Sequence, residues 1–203
     1  MLIGLTGGIA SGKSKVSARL RDLGAQIVCA DQISREVVQP GQAGNLALQE
    51  SFGQAYFNEK GELDRSKLSK LVFSQPDALQ RLNAVLHPLI IPESLRQARE
   101  IEAEVGLCVL DVPLLIEVGM HHNMDEVWLV VCDYDLRIRR IMQRDGLSKS
   151  EAAARIHSQL SDDQRRACAD YIIDNSGDFE QTKIQIDALW KRALGKVSYE
   201  QTK

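Results

Sequence analysis

Long apolar runs are absent from this sequence of 203 residues. No stretch reaches the roughly 18 consecutive apolar residues of a membrane-spanning helix, so we expect no transmembrane segment. The N-terminus is apolar but lacks a basic segment, which argues against a secretory signal peptide. Internal repeats and low-complexity segments are absent as well, and the length favours one domain over residues 1–203 with insertions.

The sequence also has few cysteines and no excess of positive charge. None of the four cysteines lies in a C-x-x-C pair, and Cys29, Cys108 and Cys132 fall in apolar runs. We therefore interpret them as reduced core residues rather than metal ligands, as expected in the cytoplasm. The formal net charge of −3 argues against general binding to nucleic acids or to anionic membranes.

A glycine-rich stretch, "GLTGGIASGKS" at 4–14, is the most informative part of the chain. Gly7, Gly12, Lys13 and Ser14 fit the pattern G-x-x-x-x-G-K-[ST] of a phosphate-binding loop. An apolar run precedes it, as a buried strand would, and "KSKVSARLRDLG" follows with helical spacing and a terminating glycine. The backbone N–H groups would hold a polyphosphate, Lys13 would reach its β- and γ-oxygens, and Ser14 would bind Mg²⁺.

Five short apolar runs alternate with helical patterns, which predicts an α/β fold with a five-stranded parallel sheet covered by helices. The runs are 2–6, 25–29, 106–112, 126–132 and 170–174. The stretch between the second and third runs is mostly helical; Asp64 resembles a helix N-cap, and residues 76–104 form a helix that Pro88 and Pro92 should bend or break. The last residues, 198–203, are expected to fray.

Polar residues follow these runs, where ligands of parallel sheets bind. Asp31 follows the second run and would face the γ-phosphate. Its carboxylate could accept a proton from a substrate hydroxyl or orient that hydroxyl, or it could merely cap the helix that follows. Asp111 ends the third run and could hold Mg²⁺ or serve as a hydrogen-bond acceptor. Asn175 follows the fifth run and could contact adenine or ribose, or belong to a turn.

The stretch between the fourth and fifth runs is rich in arginine and resembles a closing lid. Its arginines are 137, 139, 140, 144, 155, 165 and 166, with acidic residues nearby. Each one alone could be a solvated surface residue, but we expect at least one to act on phosphate, since guanidinium groups suit a phosphoryl transition state. His87 is either a structural residue or a substrate contact.

The ordered set of motifs resembles the dephospho-CoA kinase family. It comprises the loop, "ADQISREVV", "LNAVLHPLI", "DVPLLIE", "RDGLSKSEAAARIHSQ" and "ADYIIDNSG", and so covers almost the whole chain. The resemblance implies a P-loop kinase core with a helical substrate-binding insertion (34–104) and a lid (135–168). It also implies phosphorylation of the ribose 3′-hydroxyl of dephospho-CoA by ATP and Mg²⁺, with no nucleic acid, membrane or obligate protein partner.

The resemblance also implies roles for individual residues. Catalysis would involve Asp31, Lys13 and Arg140, and the metal would be bound by Ser14 and Asp111. Substrate would contact Asp31, His87 and Leu115. ATP would be bound by Gly8, Ile9, Ala10, Ser11, Gly12, Lys13, Ser14 and Lys15, together with Arg140 and Asn175.

Three positions depart from the family's usual residues. Cys29 stands where an aspartate is usual, Ala10 replaces a glycine, and Lys15 replaces a threonine. We expect these differences to tune ATP affinity rather than to abolish activity. A methyl group at position 10 requires a backbone φ that alanine can adopt.

Two other functions compete with this one. A nucleoside or nucleoside-monophosphate kinase would share the core and the lid but differ in the insertion. A nucleotide-dependent switch would bind partners instead of a substrate. The sequence lacks the N-K-x-D stretch of a GTP switch and the L-S-G-G-Q signature of a transporter ATPase.

Overall fold

A computed structural model describes residues 1–200, except for the side chains of Phe73 and Glu200. The chain forms two compact units, one made of Met1–Val28 and the chain from Ala98 onward, the other of Cys29–Gln97. The last helix continues to Glu200, so the predicted fraying does not begin at residue 198, and residues 201–203 lie outside the described part.

The first unit is built on the predicted parallel sheet. Its strands are β1 (Leu2–Gly7), β2 (Ile27–Cys29), β3 (Cys108–Asp111), β4 (Glu126–Val131) and β5 (Tyr171–Asp174), in the order β2-β3-β1-β4-β5. β1 pairs in parallel with both β3 and β4, and every residue of these three strands is buried. Strands buried on both faces need apolar residues throughout, which explains why their sequence does not alternate.

Helices cover this sheet. They are α1 (Lys13–Asp22), α6 (Tyr134–Asp145), α7 (Lys149–His157), α8 (Asp162–Arg166) and α9 (Phe179–Glu200), with a short 3₁₀ turn at Met120–Asn123. The main core joins Leu5 and Trp128 of the sheet to Leu20 of α1 and Trp190 of α9. α1 ends as predicted: Gly24 has a φ of +88°, and the Ala25 N–H donates to the Leu20 carbonyl at 2.9 Å.

The second unit is helical. It contains α2 (Ala30–Glu36), α3 (Ala43–Phe52), a 3₁₀ turn at Gln54–Tyr56, α4 (Arg65–Ser74) and most of α5 (Pro76–Val105). Its core is formed by buried side chains that include Val38, Leu48, Leu68 and Val72. Asp64 caps α4 as predicted, since its carboxylate accepts the Lys67 N–H at 2.9 Å.

Of the bend or break predicted at Pro88 and Pro92, the break does not occur, since α5 is one helix from Pro76 to Val105; a bend there stays a prediction. A proline lacks an N–H and so removes one i→i−4 hydrogen bond. Two such losses in a helix of 30 residues leave most of its hydrogen bonds in place. Whether proline ends a helix therefore depends on the packing and bonding of the turns around it.

The structure also bears on the predictions about membrane-spanning helices and cysteines. None of the helices in the described residues combines the length and the apolarity needed to cross a bilayer. The four cysteines are free thiols, and Cys108 and Cys132 are buried as expected of core residues. Cys29 is only half-buried, so its interpretation as a core residue is wrong, because it lies at the end of a short strand where the chain enters α2. Burial raises the pKa of the Cys108 thiol to about 11 and also raises that of Cys132.

Candidate functional site

The loop between β1 and α1, residues 8–12, has the geometry of an anion site. Gly12 precedes the helix with a φ of +93° and provides no side-chain cap, and the first turn of α1 contains no acidic residue. The first N–H groups of a helix have no acceptor within the helix. Together with the positive end of the helix dipole, they favour a phosphate group at this point.

Two side chains hold the outer face of this loop. Arg140 of α6 donates from one nitrogen to the carbonyls of Ala10 at 3.0 Å and Ser11 at 3.2 Å, and also contacts the sulphur of Cys132 at 3.3 Å. The Asn175 amide donates to the Ser11 carbonyl at 2.7 Å. The C=O and N–H groups of one trans peptide point in opposite directions. Because these bonds hold the carbonyls on the outer side of the loop, the N–H groups of the same peptides point to the inner side.

Ala10 is in the left-handed region, with a φ of +61°, and no other non-glycine residue of the described chain has a positive φ. A left-handed backbone costs a residue with a Cβ roughly 1–2 kcal/mol. The loop therefore retains the conformation that a glycine would adopt without strain. The Arg140 contact with the Ala10 carbonyl is one of the interactions that hold it there.

We expect Ala10→Gly to stabilise the folded chain by up to about 1 kcal/mol, because relief of the left-handed strain exceeds the extra backbone entropy of glycine. Thermal unfolding should show a melting temperature higher by roughly 2–4 °C. Ala154→Gly, at an exposed interior position of α7, is the matched control and should destabilise by about 1 kcal/mol. Equal destabilisation in both variants would show that position 10 is not strained.

Lys13 and Asp111 form an ion pair at the carboxyl ends of β1 and β3. The Lys13 ammonium contacts Oδ1 of Asp111, and the two side chains are only 13% and 6% exposed. Ser14, the second residue of α1, is exposed. The structure thus brings Lys13 and Asp111 together, and it gives Asp111 the acceptor role that sequence reasoning held open.

The lid arginines differ in their surroundings. Arg144 and Arg155 both bind Asp145 at the end of α6, at 2.8 and 2.7 Å, and the Arg144 hydrogen bonds lower the pKa of that carboxyl. Arg137 and Arg165 are buried, with 2% and 1% exposure. The stretch 135–168 therefore contains both exposed arginines and arginines packed inside the unit, and its movement as a lid remains a prediction.

The second unit contains two predicted residues, Asp31 and His87. Asp31 is the second residue of α2 and is exposed, while Cys29 occupies the N-cap position. The interpretation of Asp31 as the N-cap of α2 is therefore wrong. His87 is half-buried in the middle of α5.

A cavity of about 480 Å³ opens in the second unit, within the size range of small-molecule sites. Its walls are formed by α2, the start of α3 and the middle of α5, and include the apolar side chains of Ile33, Val37 and Leu89. Glu36 and Glu93 supply carboxylates. Hydrogen bonds from Arg96 and then Gln97 lower the pKa of Glu93 to about 2, so that it stays charged.

Comparison with known proteins decides the family. The model of the dephospho-CoA kinase family (CoaE) matches residues 1–181. The chain belongs to the dephospho-CoA kinase family. A dephospho-CoA kinase of Carboxydothermus hydrogenoformans is 41% identical over 186 residues, which cover 91% of this chain and 90% of that protein.

Solved structures agree with the fold. A Thermus thermophilus protein, TT1252, superimposes with a TM-score of 0.78 at 32% identity, covering 95% of this chain and 97% of that one. A dephospho-CoA kinase from Campylobacter jejuni gives 0.73 at 26% identity, with 95% and 96% covered. The predicted α/β fold with a P-loop kinase core is confirmed.

In this member of the dephospho-CoA kinase family, three further predicted site residues, Asn175, Leu115 and Lys15, have defined surroundings. Asn175 is 2% exposed and its amide donates to the Ser11 carbonyl of the loop, while its contact with adenine stays a prediction. Leu115 is fully buried, and its contact with substrate stays a prediction. The Lys15 N–H donates to the Gly12 carbonyl at 2.9 Å, and its ammonium lies 5.5 Å from the Phe179 ring centroid.

Sequence reasoning missed one residue that touches the loop. Gln159, between α7 and α8, accepts the Ile9 N–H at 2.8 Å. The sequence indicates Arg137 only as a possible phosphate contact, yet its Nε donates to the Ile9 carbonyl at 2.9 Å. Gln159 ends the stretch "RIHSQ" that contributed to the family resemblance, which was the available signal.

Proposed function

We propose that this chain transfers the γ-phosphoryl group of ATP to the 3′-hydroxyl of the ribose of dephospho-CoA, giving coenzyme A and ADP. The reaction is the last step of coenzyme A biosynthesis. The observation that carries the proposal is membership of the dephospho-CoA kinase family over residues 1–181. A nucleoside or nucleoside-monophosphate kinase is not favoured, since the curated relatives that match over most of the chain are dephospho-CoA kinases.

The phosphates of ATP are proposed to bind at loop residues Gly8–Lys15. The support is the uncapped start of α1 and the Lys13 ammonium beside it. Arg140 and Asn175 contribute by holding the Ala10 and Ser11 carbonyls, which orients the N–H groups of the loop. Direct contacts of Arg140 with phosphate and of Asn175 with adenine are part of the same proposal.

The acceptor is proposed to bind through the insertion 34–104. Asp31 would orient the 3′-hydroxyl or accept its proton, and its exposed carboxylate supports that role. His87, Leu115 and the stretch 135–168 are proposed to contact or enclose the substrates. A cytoplasmic location completes the proposal.

A kinase that uses ATP generally depends on Mg²⁺, and the residues of this site suit that ion. Mg²⁺ prefers oxygen ligands, and Ser14 offers an exposed hydroxyl at the start of α1. Lys13 contacts only Oδ1 of Asp111, which leaves Oδ2 outside that pair. We propose that these two residues hold the ion or its waters; when bound, it neutralises charge that develops on the phosphates.

We expect Ser14→Ala and Asp111→Asn each to raise the Mg²⁺ concentration needed for half-maximal activity, because each removes an oxygen ligand. A magnesium titration at constant free ATP measures this. The matched control is Ser66→Ala, since Ser66 is also the exposed second residue of its helix, α4. Unchanged half-saturation in both site variants would contradict the metal assignment.

A coupled assay of ADP release tests the reaction itself. Activity should depend on dephospho-CoA and be much weaker with adenosine, AMP or pantothenate. Phosphorus NMR of the product should place the new phosphate on the 3′-oxygen and not on the 2′-oxygen. A chain that releases ADP equally well without dephospho-CoA would overturn the proposed function.

A further inference from the structure

Two buried guanidinium groups lie directly over Gly8. A Cβ placed on Gly8 would lie 2.6 Å from Nη2 of Arg137 and 3.0 Å from Nη1 of Arg165. The first distance is too short for any real Cβ contact, and the space that a side chain would need is already filled. A methyl group at position 8 would therefore have to displace the guanidinium end of the Arg137 side chain.

Acidic side chains hold both arginines in place. Nη1 of Arg137 lies 3.0 Å from each carboxylate oxygen of Asp162, at the start of α8. Arg165 binds Glu117, in the segment after β3, at 2.7 Å. Buried charges are tolerated when they are paired in this way, and breaking such a pair is costly.

Arg137 adds a bond to the loop that the other arginine lacks. Its Nε donates to the Ile9 carbonyl at 2.9 Å, while the buried Nη2 has no hydrogen-bond partner among the described residues. The peptide between Ile9 and Ala10 is trans, so a carbonyl held on one side directs the Ala10 N–H to the other side. Gln159 fixes the preceding peptide by accepting the Ile9 N–H.

We infer that Arg137 is a positioning residue of the phosphate loop, which sets the affinity for the nucleotide without contacting it. The inference rests on the proposed function, in which this loop binds ATP. Arg137 acts through Ile9 and Gly8 on the direction of the loop N–H groups. It therefore affects the nucleotide and not the acceptor.

Arg137→Ala should raise the Kd for ADP and the KM for ATP roughly tenfold, the size expected when one charge-assisted hydrogen bond is lost. The KM for dephospho-CoA should stay within about twofold. Arg137→Lys keeps the charge but loses the planar fork, and should restore only part of the affinity. Arg21→Ala, an exposed arginine on α1, is the control and should bind ADP normally.

A double-mutant cycle tests the packing over Gly8. Gly8→Ala should weaken ADP binding roughly tenfold in the parent chain, because the methyl group displaces the Arg137 guanidinium. In an Arg137→Ala background, Gly8→Ala should weaken ADP binding clearly less, since the space next to position 8 is then open. If Arg137→Ala does not fold, Gly8→Ala and Arg137→Lys still provide the measurement.

Three results would overturn the inference. The first is a lower melting temperature of Arg137→Ala with an unchanged Kd for ADP, which would make Arg137 a purely structural residue. The second is an equal rise in the KM values of both substrates, and the third is an additive cycle. ADP titration calorimetry needs no acceptor, so a parent chain that ignores dephospho-CoA would refute the proposed function and leave this test intact.

Discussion

Replacing Lys13 by alanine should lower kcat roughly 10²–10³-fold, the usual cost of removing one group that stabilises developing charge. The P-loop spacing places this ammonium on the transferring phosphate, and the structure holds it at the carboxyl edge of the sheet beside Asp111. The loss should be larger in kcat than in ATP binding, because the charge to be stabilised grows in the transition state. Steady-state kinetics with ATP and dephospho-CoA measure both quantities.

Loss of Lys13 has a second, separable effect. The Asp111 side chain is 6% exposed and would lose its cation, at a cost of roughly 1–3 kcal/mol of stability. Thermal melts must therefore accompany the kinetics, with assays run well below the melting temperature. Lys191→Ala, at an exposed position of α9, controls for removal of a lysine. A folded Lys13→Ala chain with near-normal kcat would refute the assignment.

Asp31→Asn should lower turnover by roughly 10²–10⁴-fold, the range of a positioned acid–base group. Asparagine is nearly isosteric, and Asp31 is exposed in the first turn of α2, so folding and ATP binding should survive. Phosphoryl transfer depends mostly on positioning and charge, so the carboxylate could act by orienting the hydroxyl. Binding of dephospho-CoA should weaken much less than turnover.

The matched control for this change is Asp77→Asn. Asp77 is also exposed and also the second residue of its helix, α5, so both substitutions remove the same favourable interaction with a helix N-terminus. Only the Asp31 variant should lose turnover. An Asp31→Asn enzyme with full kcat would leave Asp31 without a catalytic role, and equal losses in both variants would point to helix stability instead.

The loop and the sheet were predictable because their signals are local. The spacing of Gly7, Gly12 and Lys13 requires one backbone conformation, and strands buried on both faces must be apolar throughout. Helix ends such as Gly24 and Asp64 were predictable for the same reason, since a cap involves neighbouring residues. α5 was the exception, because two prolines do not end a helix whose remaining turns are bonded.

The partners of the arginines could not be predicted from local sequence signals. Arg137, Arg144 and Arg165 have the same chemistry, and sequence spacing places the first two on one helical face. Burial separates them: Arg137 and Arg165 lie over Gly8, more than 120 residues away along the chain, whereas Arg144 binds its neighbour Asp145. Which arginine meets a carbonyl, a carboxylate or solvent depends on long-range packing that spacing does not encode.

The sequence by itself therefore determined the phosphate loop, the order of strands and helices along the chain, and the family. Each of these follows from residue types at fixed short spacings. Only the tertiary structure decided that Asn175, Arg140 and Arg137 hold the loop from outside, that Lys13 pairs with Asp111, and that Leu115 is buried. These facts depend on which side chains meet when distant segments pack, and a buried polar group takes whichever partner lies within reach.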